Sequence, residues 1–273
     1  MVIKLPALNR IPFKDKRMRL LSLVVLLLLA PGTYSQLKPQ AAKSDDRAIV
    51  TPRRVVIVRR DALIKDFPEK KRATVTYPVI SGLSDPKVLH RVQSIVRVKN
   101  AFDSSLAEYR QDSWLEEFTF KVNYNKNYIL DITFTQSGSG AYPDTHTKHI
   151  AINLKNGSII KASDVFVDNK LGSLAVLVNR KLQSELKQIL KENGGSSSDA
   201  EEIRIIKESQ GVLEFKSENL DDFSVGVKGL TFLYDAGYPH AIKAFEPNGR
   251  YFFSYPELKP YLKRDGLLWQ FVE

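Results

Sequence analysis

The chain has 273 residues, a formal net charge of +10 and no cysteine, which excludes disulfides, thiolate metal sites and cysteine nucleophiles together. The charge is uneven: residues 1–35 carry +5, residues 36–72 carry +6 and residues 73–273 sum to −1. The C-terminal body therefore lacks the basic excess that nucleic-acid binding requires.

Lys14, Lys16, Arg17 and Arg19 precede an apolar run at residues 20–30, interrupted only by Ser22 and followed by Pro31, Gly32 and the small residues Thr33 and Ser35. This is the layout of a secretory signal, and the run is shorter than the roughly 20 apolar residues that span a membrane. We expect a signal peptide at residues 1–35, cleaved near Ser35, and no transmembrane helix afterwards. An uncleaved anchor formed by Leu20 to Ala30 is the alternative. The mature protein is then expected in the periplasm or the extracellular space. Residues 36–54 read as a flexible basic lead-in, either a solvated linker or a stretch lying against an anionic surface. Residues 55–273 are long enough for one domain or for two subdomains dividing near 110–115.

Within that body, Val55 to Val58 and Ala73 to Ile80 read as two strands able to pair across the charged loop 65–72. Asp85-Pro86 has the chemistry of an N-cap followed by a first-turn proline. Val88, Val92, Ile95, Val96, Phe102 and Leu106 then predict one helix of about five turns. Phe118 to Asn123 and Tyr128 to Gln136 alternate as strands around an Asn-Lys-Asn turn. Residues 137–149 read as a Gly/Ser/Pro loop. Ile150 to Leu154 leads into an Asn156-Gly157 hairpin turn. Leu174, Val178, Leu182, Leu186, Ile189 and Leu190 give one apolar face to a helix over 171–190, which a Gly/Ser run at 193–198 ends.

Strands are predicted at 212–215, 223–227, 230–234, 241–245 and 250–255, the last two joined by Asn248-Gly249, with a short closing helix near 257–262. The fold class expected is α+β: an antiparallel sheet of hairpin-linked strands packed with two main helices.

Three segments resemble a known family. Residues 73–95, with Tyr77-Pro78 and Asp85-Pro86, resemble the start of the extracellular region of RsiV-type anti-sigma factors, a module also found beside some peptidoglycan deacetylases. Residues 140–166 resemble that group's Gly-rich loop, hairpin and closing Asp-hydrophobic-Phe. Residues 232–262 resemble its aromatic end, with Tyr255-Pro256-Glu257-Leu258. Tyr142 stands where the family loop often has His. Nineteen residues precede the apolar run, too few for a sigma-binding domain, so that activity does not carry over. The resemblance implies an exported, sensor-like module. In RsiV that module binds lysozyme; nothing in these residues assigns the same ligand.

No nucleotide-binding or hydrolase motif is present. No catalytic residue, metal site or cofactor is assigned. Asp144 and His146 would share one face of an extended chain, with His149 on the other, and a metal would need His240 or Asp131 in addition. Tyr142-Pro143 and Tyr238-Pro239 head two similar loops followed by His146 and His240. These could line one mouth where a sugar or peptide stacks on tyrosine; the alternative is that Tyr-Pro pairs only stiffen loops. Tyr142, Asp144, His146, Tyr238 and His240 are the candidate ligand-binding residues, with an envelope glycan or a secreted protein as partner. An envelope hydrolase acting on peptidoglycan or another glycan is the competing reading. The aromatic strand around Tyr251 to Tyr255 is expected in the core.

Overall fold

The structure is a computed structural model describing residues 46–193 and 213–273, with positions 204 and 208. The signal segment, most of the lead-in and the Gly/Ser run from 194 lie outside the described residues. All those described from 46 onward fall in one compact unit. No described helix is long and apolar enough to cross a membrane.

Among the described residues, six strands form one sheet in the order β1-β2-β3-β4-β5-β6, and β7-β8-β9 form a second. Strand β1 (Ile49–Val58) begins six residues ahead of the expected start at Val55 and pairs antiparallel with β2 (Arg72–Ser81) from Ile49↔Ser81 to Val58↔Arg72. Pro52 is tolerated because β1 is an edge strand. Helix α1 (Pro86–Ile95) starts as the sequence requires, the Asp85 carboxylate accepting from Lys87 N–H at 2.7 Å and Val88 N–H at 3.3 Å.

The single five-turn helix does not form. Arg97 is extended (φ −63°, ψ 144°), α2 (Val98–Phe102) restarts, and Asp103 at φ 56° ends it. Ile95, Val96 and Val98 are β-branched and lose rotamer freedom in a helix. The break lets Val96 and Val98 both stay buried, and the Asn100 side chain donates to the Ser94 carbonyl that the break exposes. This crossover makes β2 and β3 parallel at Thr74↔Glu117 and Val75↔Phe118, the one parallel step in an otherwise antiparallel sheet.

Strands β3 (Leu115–Lys126) and β4 (Ile129–Ser139) turn through Asn127 and Tyr128, both at positive φ, as a two-residue hairpin of the primed type demands. Strand β5 (Pro143–Asn153) corrects the loop expected at 137–149: only residues 140–142 are loop. Asp144, Thr145, His146, Thr147 and Lys148 put polar groups on both faces, so no apolar alternation announces the strand. The Asn156-Gly157 turn forms as expected, Gly157 lying at φ 73°, and leads into β6 (Ser158–Ile159).

Alternation along β4 divides the core between two faces. Leu130, Ile132 and Phe134 pack with Val88, Val92 and Phe118 on the side of α1. On the other side Ile129 and Ala151 join Leu174, Val178, Leu182 and Leu186 of α4 (Leu171–Asn193), a helix that follows a short α3 (Ala162–Val165).

The second sheet, β7 (Phe223–Val225), β8 (Gly229–Leu233) and β9 (Arg250–Ser254), packs in that same cluster. Tyr251, Phe253 and Tyr255 are buried and Phe252 is exposed, so the aromatic strand belongs to the core. A final turn, α5 (Tyr255–Leu258), is capped by Ser254 and Glu257.

Two expected strands do not form among the described residues. Residues 213–215 are irregular and lead into a 3₁₀ turn at Ser217–Asp221. Residues 241–245 lie in a 3₁₀ segment, His240–Phe245, so Asn248-Gly249 is not a hairpin turn. Gly249, at φ 65°, instead delivers the chain into β9 against β8, where a Cβ would collide with the Tyr234 carbonyl.

Candidate functional site

The turn 140–142 and the segment 238–243 meet. The Tyr142 ring stacks on His240 with centroids 4.2 Å apart and planes 25° from parallel. Beneath them Trp114 is held by neighbours that the sequence could not group. The buried Arg59 guanidinium donates to the carbonyls of Asp112 and Leu115, both at 2.5 Å, and fixes the segment carrying Trp114. Gly138 leaves room for the Trp114 backbone, whose carbonyl accepts from Ser139 N–H at 3.1 Å. The resulting cleft, about 600 Å³, is lined by Trp114, residues 140–145, Tyr238, His240 and Lys243.

Four of the five candidate residues, Tyr142, Asp144, Tyr238 and His240, line this cleft. His146 approaches it through its ring, 5.5 Å from Trp114, and its Nε2 lies 3.3 Å from the Asp144 carboxylate. The two tyrosines differ: Tyr142 is 60% exposed and Tyr238 only 6%. Tyr238 is thus a wall rather than a platform. Its N–H donates to Glu246 at 3.0 Å, and its hydroxyl is buried with no hydrogen-bond partner among the described residues.

Lys243 and Thr145 also line a second, more polar cleft of about 290 Å³, with His146, His149, Asp222, Asp235 and Arg250 in its walls. Its neighbour Glu246 accepts from Lys243 at 2.8 Å. That hydrogen bond, with Asp235 and Asp144 nearby, holds the Lys243 ammonium above its ordinary range.

His149 is the best-positioned group here. Its Nδ1 lies 2.8 Å from Thr133 Oγ1, which accepts from Asn123 Nδ2 at 2.7 Å; that amide also donates to Asp131 at 2.6 Å. Burial, then the Arg250 charge, pushes the imidazole down to about 4. The ring is therefore neutral at neutral pH, and Thr133, its oxygen already accepting, donates to Nδ1. Burial pushes the Asp131 carboxyl up to about 6, against hydrogen bonds from Asn123, Val225 N–H and Ser224. Asp222 is exposed at the cleft; partial desolvation by the cleft walls, then Asp131 and Asp235, raise it to about 6 while Arg250 and Lys148 oppose.

Asp131 does not meet Asp144, His146 and His240: it is fully buried and hydrogen-bonded to β7, whereas Asp144 pairs with His146 and His240 with Tyr142. Among the described residues no three His, Asp or Glu side chains are grouped to hold a metal. Sequence alternation does put His149 opposite His146. Nothing in it shows that β7–β9 would cover that face and bring Asp222 and Arg250 to it.

No family model matches the sequence, and no curated protein matches it. Among solved structures, a member of the DUF3298 family from Bacteroides fragilis NCTC 9343 aligns with a TM-score of 0.51 at 13% identity, covering 79% of this chain and 93% of that one. A DUF3298 family protein from Pseudomonas aeruginosa PAO1 gives 0.47 at 15% identity, covering 79% and 94%. The first of these likenesses shows a shared fold and no more. RsiV-type ligand chemistry does not come with it.

Proposed function

We propose that this is an exported, non-catalytic cell-envelope protein whose sensor-like module holds a glycan at the Tyr142–His240 mouth. The observation that carries the reading is the stack of Tyr142 on His240, which joins two distant loops beside a cleft of about 600 Å³. Exposed ring faces suit the apolar face of a sugar, and Lys243 and Asp144 supply polar contacts at the same wall. The basic and apolar pattern of residues 14–30 supports export.

The test is co-sedimentation of the protein with insoluble peptidoglycan, and titration with soluble glycan fragments. Tyr142 and His240 are both exposed, so Tyr142→Ala with His240→Ala should keep the wild-type melting temperature and weaken binding about tenfold or more. Equal retention of both forms would place recognition elsewhere. A secreted protein partner is the variant of this reading that the same pair of substitutions would test.

One observation favours the second reading, an envelope hydrolase: His149 and Asp222 line one cleft with their pKa values displaced to about 4 and about 6, the kind of perturbation that acid–base sites show. Release of reducing ends from peptidoglycan, abolished by His149→Ala, would establish it. No release above a buffer control would leave the binding reading standing alone.

A further inference from the structure

A groove unrelated to the Tyr142 mouth lies between β2 and the α1–α2 break. Its open hollow measures about 610 Å³, within the range of small-molecule sites. Its apolar lining includes Val79, Ile80, Val96, Val98 and Leu106, and its charged lining consists of Arg97, Lys99 and Arg110, with no carboxylate. Among the described residues none of these three cations forms an ion pair. Glu108, whose carboxylate feels the Lys99 charge, accepts from the Ser105 N–H at 2.6 Å. A second hollow of about 470 Å³ shares Ala107 and Arg110 with it and is lined besides by Val58, Arg60 and Leu63.

We infer that this groove binds a free long-chain fatty acid, its tail along Tyr77, Val79 and Leu106 and its carboxylate on the Arg97, Lys99 and Arg110 side chains. An open apolar groove whose charged lining is three cations, with no carboxylate among the described lining residues, is complementary to a chain with an anionic head. A peptide strand fits less well, because it would need ladder bonds from β2. Pro78 has no N–H to give, and the Ile80 carbonyl already accepts from the Gln93 side chain at 2.9 Å. A bilayer surface fits less well too, since Ile80, Val96 and Val98 of the lining are buried and leave Val79 as its one exposed large apolar side chain.

The experiment is isothermal titration of the full chain with laurate, dodecanol and dodecylamine. Laurate should bind at one per chain, with the neutral and cationic amphiphiles at least about tenfold weaker. The triple variant Arg97→Gln, Lys99→Gln, Arg110→Gln should lose about tenfold for laurate with an unchanged melting temperature. Val79→Glu, at a 40% exposed position, should lose laurate as well and so report on the tail. Every form carries the same N-terminal apolar run, so the differences belong to the groove. Equal affinity for the three head groups, or triple and Val79 variants that bind laurate like wild type, would overturn the inference. So would co-sedimentation with anionic vesicles, or capture of an apolar acidic peptide, that is sensitive to the triple variant while laurate does not bind.

Discussion

The Val225 backbone N–H donates to the Asp131 carboxylate at 2.5 Å, fastening the three-stranded sheet to the face of β4. Ser224 Oγ reaches the other carboxylate oxygen at 3.3 Å and Asn123 Nδ2 donates to it at 2.6 Å. A carboxylate with no solvent exposure is costly unless its lone pairs are filled, and here three donors from two strands fill them.

Asp131→Ala should therefore destabilise the protein by about 3 kcal/mol, because it leaves a buried N–H and two side-chain donors unpaired. Asp131→Asn should cost less, since one acceptor oxygen remains while its amide opposes a donor. Urea unfolding measures both. A wild-type midpoint for Asp131→Ala would mean that the two sheets do not depend on this clamp.

The pH dependence of stability follows from opposed shifts. His149 titrates at about 4 folded, against 6.5 for the ordinary group. Between those values the unfolded chain binds more protons, so this group makes stability rise with pH. Asp131 titrates at about 6 folded against 3.8. There the folded chain binds more protons, so stability falls as pH rises through that window. Asp222, raised likewise to about 6, acts in the same direction as Asp131, and His149 opposes both. His149→Asn, whose side-chain oxygen can still accept from Thr133, removes only the histidine's contribution. On acidification from neutral pH to about 4.5 the variant should gain about 1–2 kcal/mol relative to wild type, a figure discounted for the ring's partial exposure. Parallel stability curves for the two proteins would show that His149 is not held neutral.

What the sequence made legible was local. Asp85-Pro86, the Asn156-Gly157 turn, the 171–190 helix and the β1–β2 pairing each rest on contacts or dihedral needs within a short span. The β5 strand was hidden because its outer half, from Asp144 to Lys148, is polar on both faces. Residues 241–245 misled because Ala241-Ile242-Lys243-Ala244-Phe245 alternates like a strand, yet only Ile242 is deeply buried among the residues whose burial is described there. The mouth was half legible. Repeated Tyr-Pro pairs marked both loops, but burial separates Tyr142 from Tyr238, and only the fold decides burial. The polar cleft was not legible, since His149, Asp222 and Arg250 come from three distant segments.

Helix α4 gives a direct check on the apolar face read from spacing. Leu182 has no exposure and Val176, on the same helix, is 52% exposed. Leu182→Asp places an unpaired charge in the cluster that holds α4 against the second sheet and should cost about 4 kcal/mol or more. Val176→Asp should stay within about 0.5 kcal/mol of wild type. Thermal unfolding of the pair separates a misplaced helix face, which would give similar losses, from the one described.

Tyr238 offers a test in which removing an atom should help. Its ring is buried and its hydroxyl has no partner among the described residues, while burial holds the phenol above its ordinary range. An unpaired buried hydroxyl forfeits its hydrogen bonds to water and gains none in return. Tyr238→Phe should therefore leave stability unchanged or raise it by about 1 kcal/mol, whereas Tyr238→Ala, which empties a buried ring's volume, should cost about 3 kcal/mol. The same substitution bears on the mouth. The phenylalanine variant keeps the wall behind the Tyr142–His240 stack, so glycan retention should match wild type if the stack carries recognition. Loss of retention with intact stability would show that the wall behind the stack, and not the stack alone, sets recognition. A lower melting temperature for Tyr238→Phe would show instead that the hydroxyl is hydrogen-bonded, and the wall of the cleft would have to be redrawn around that bond.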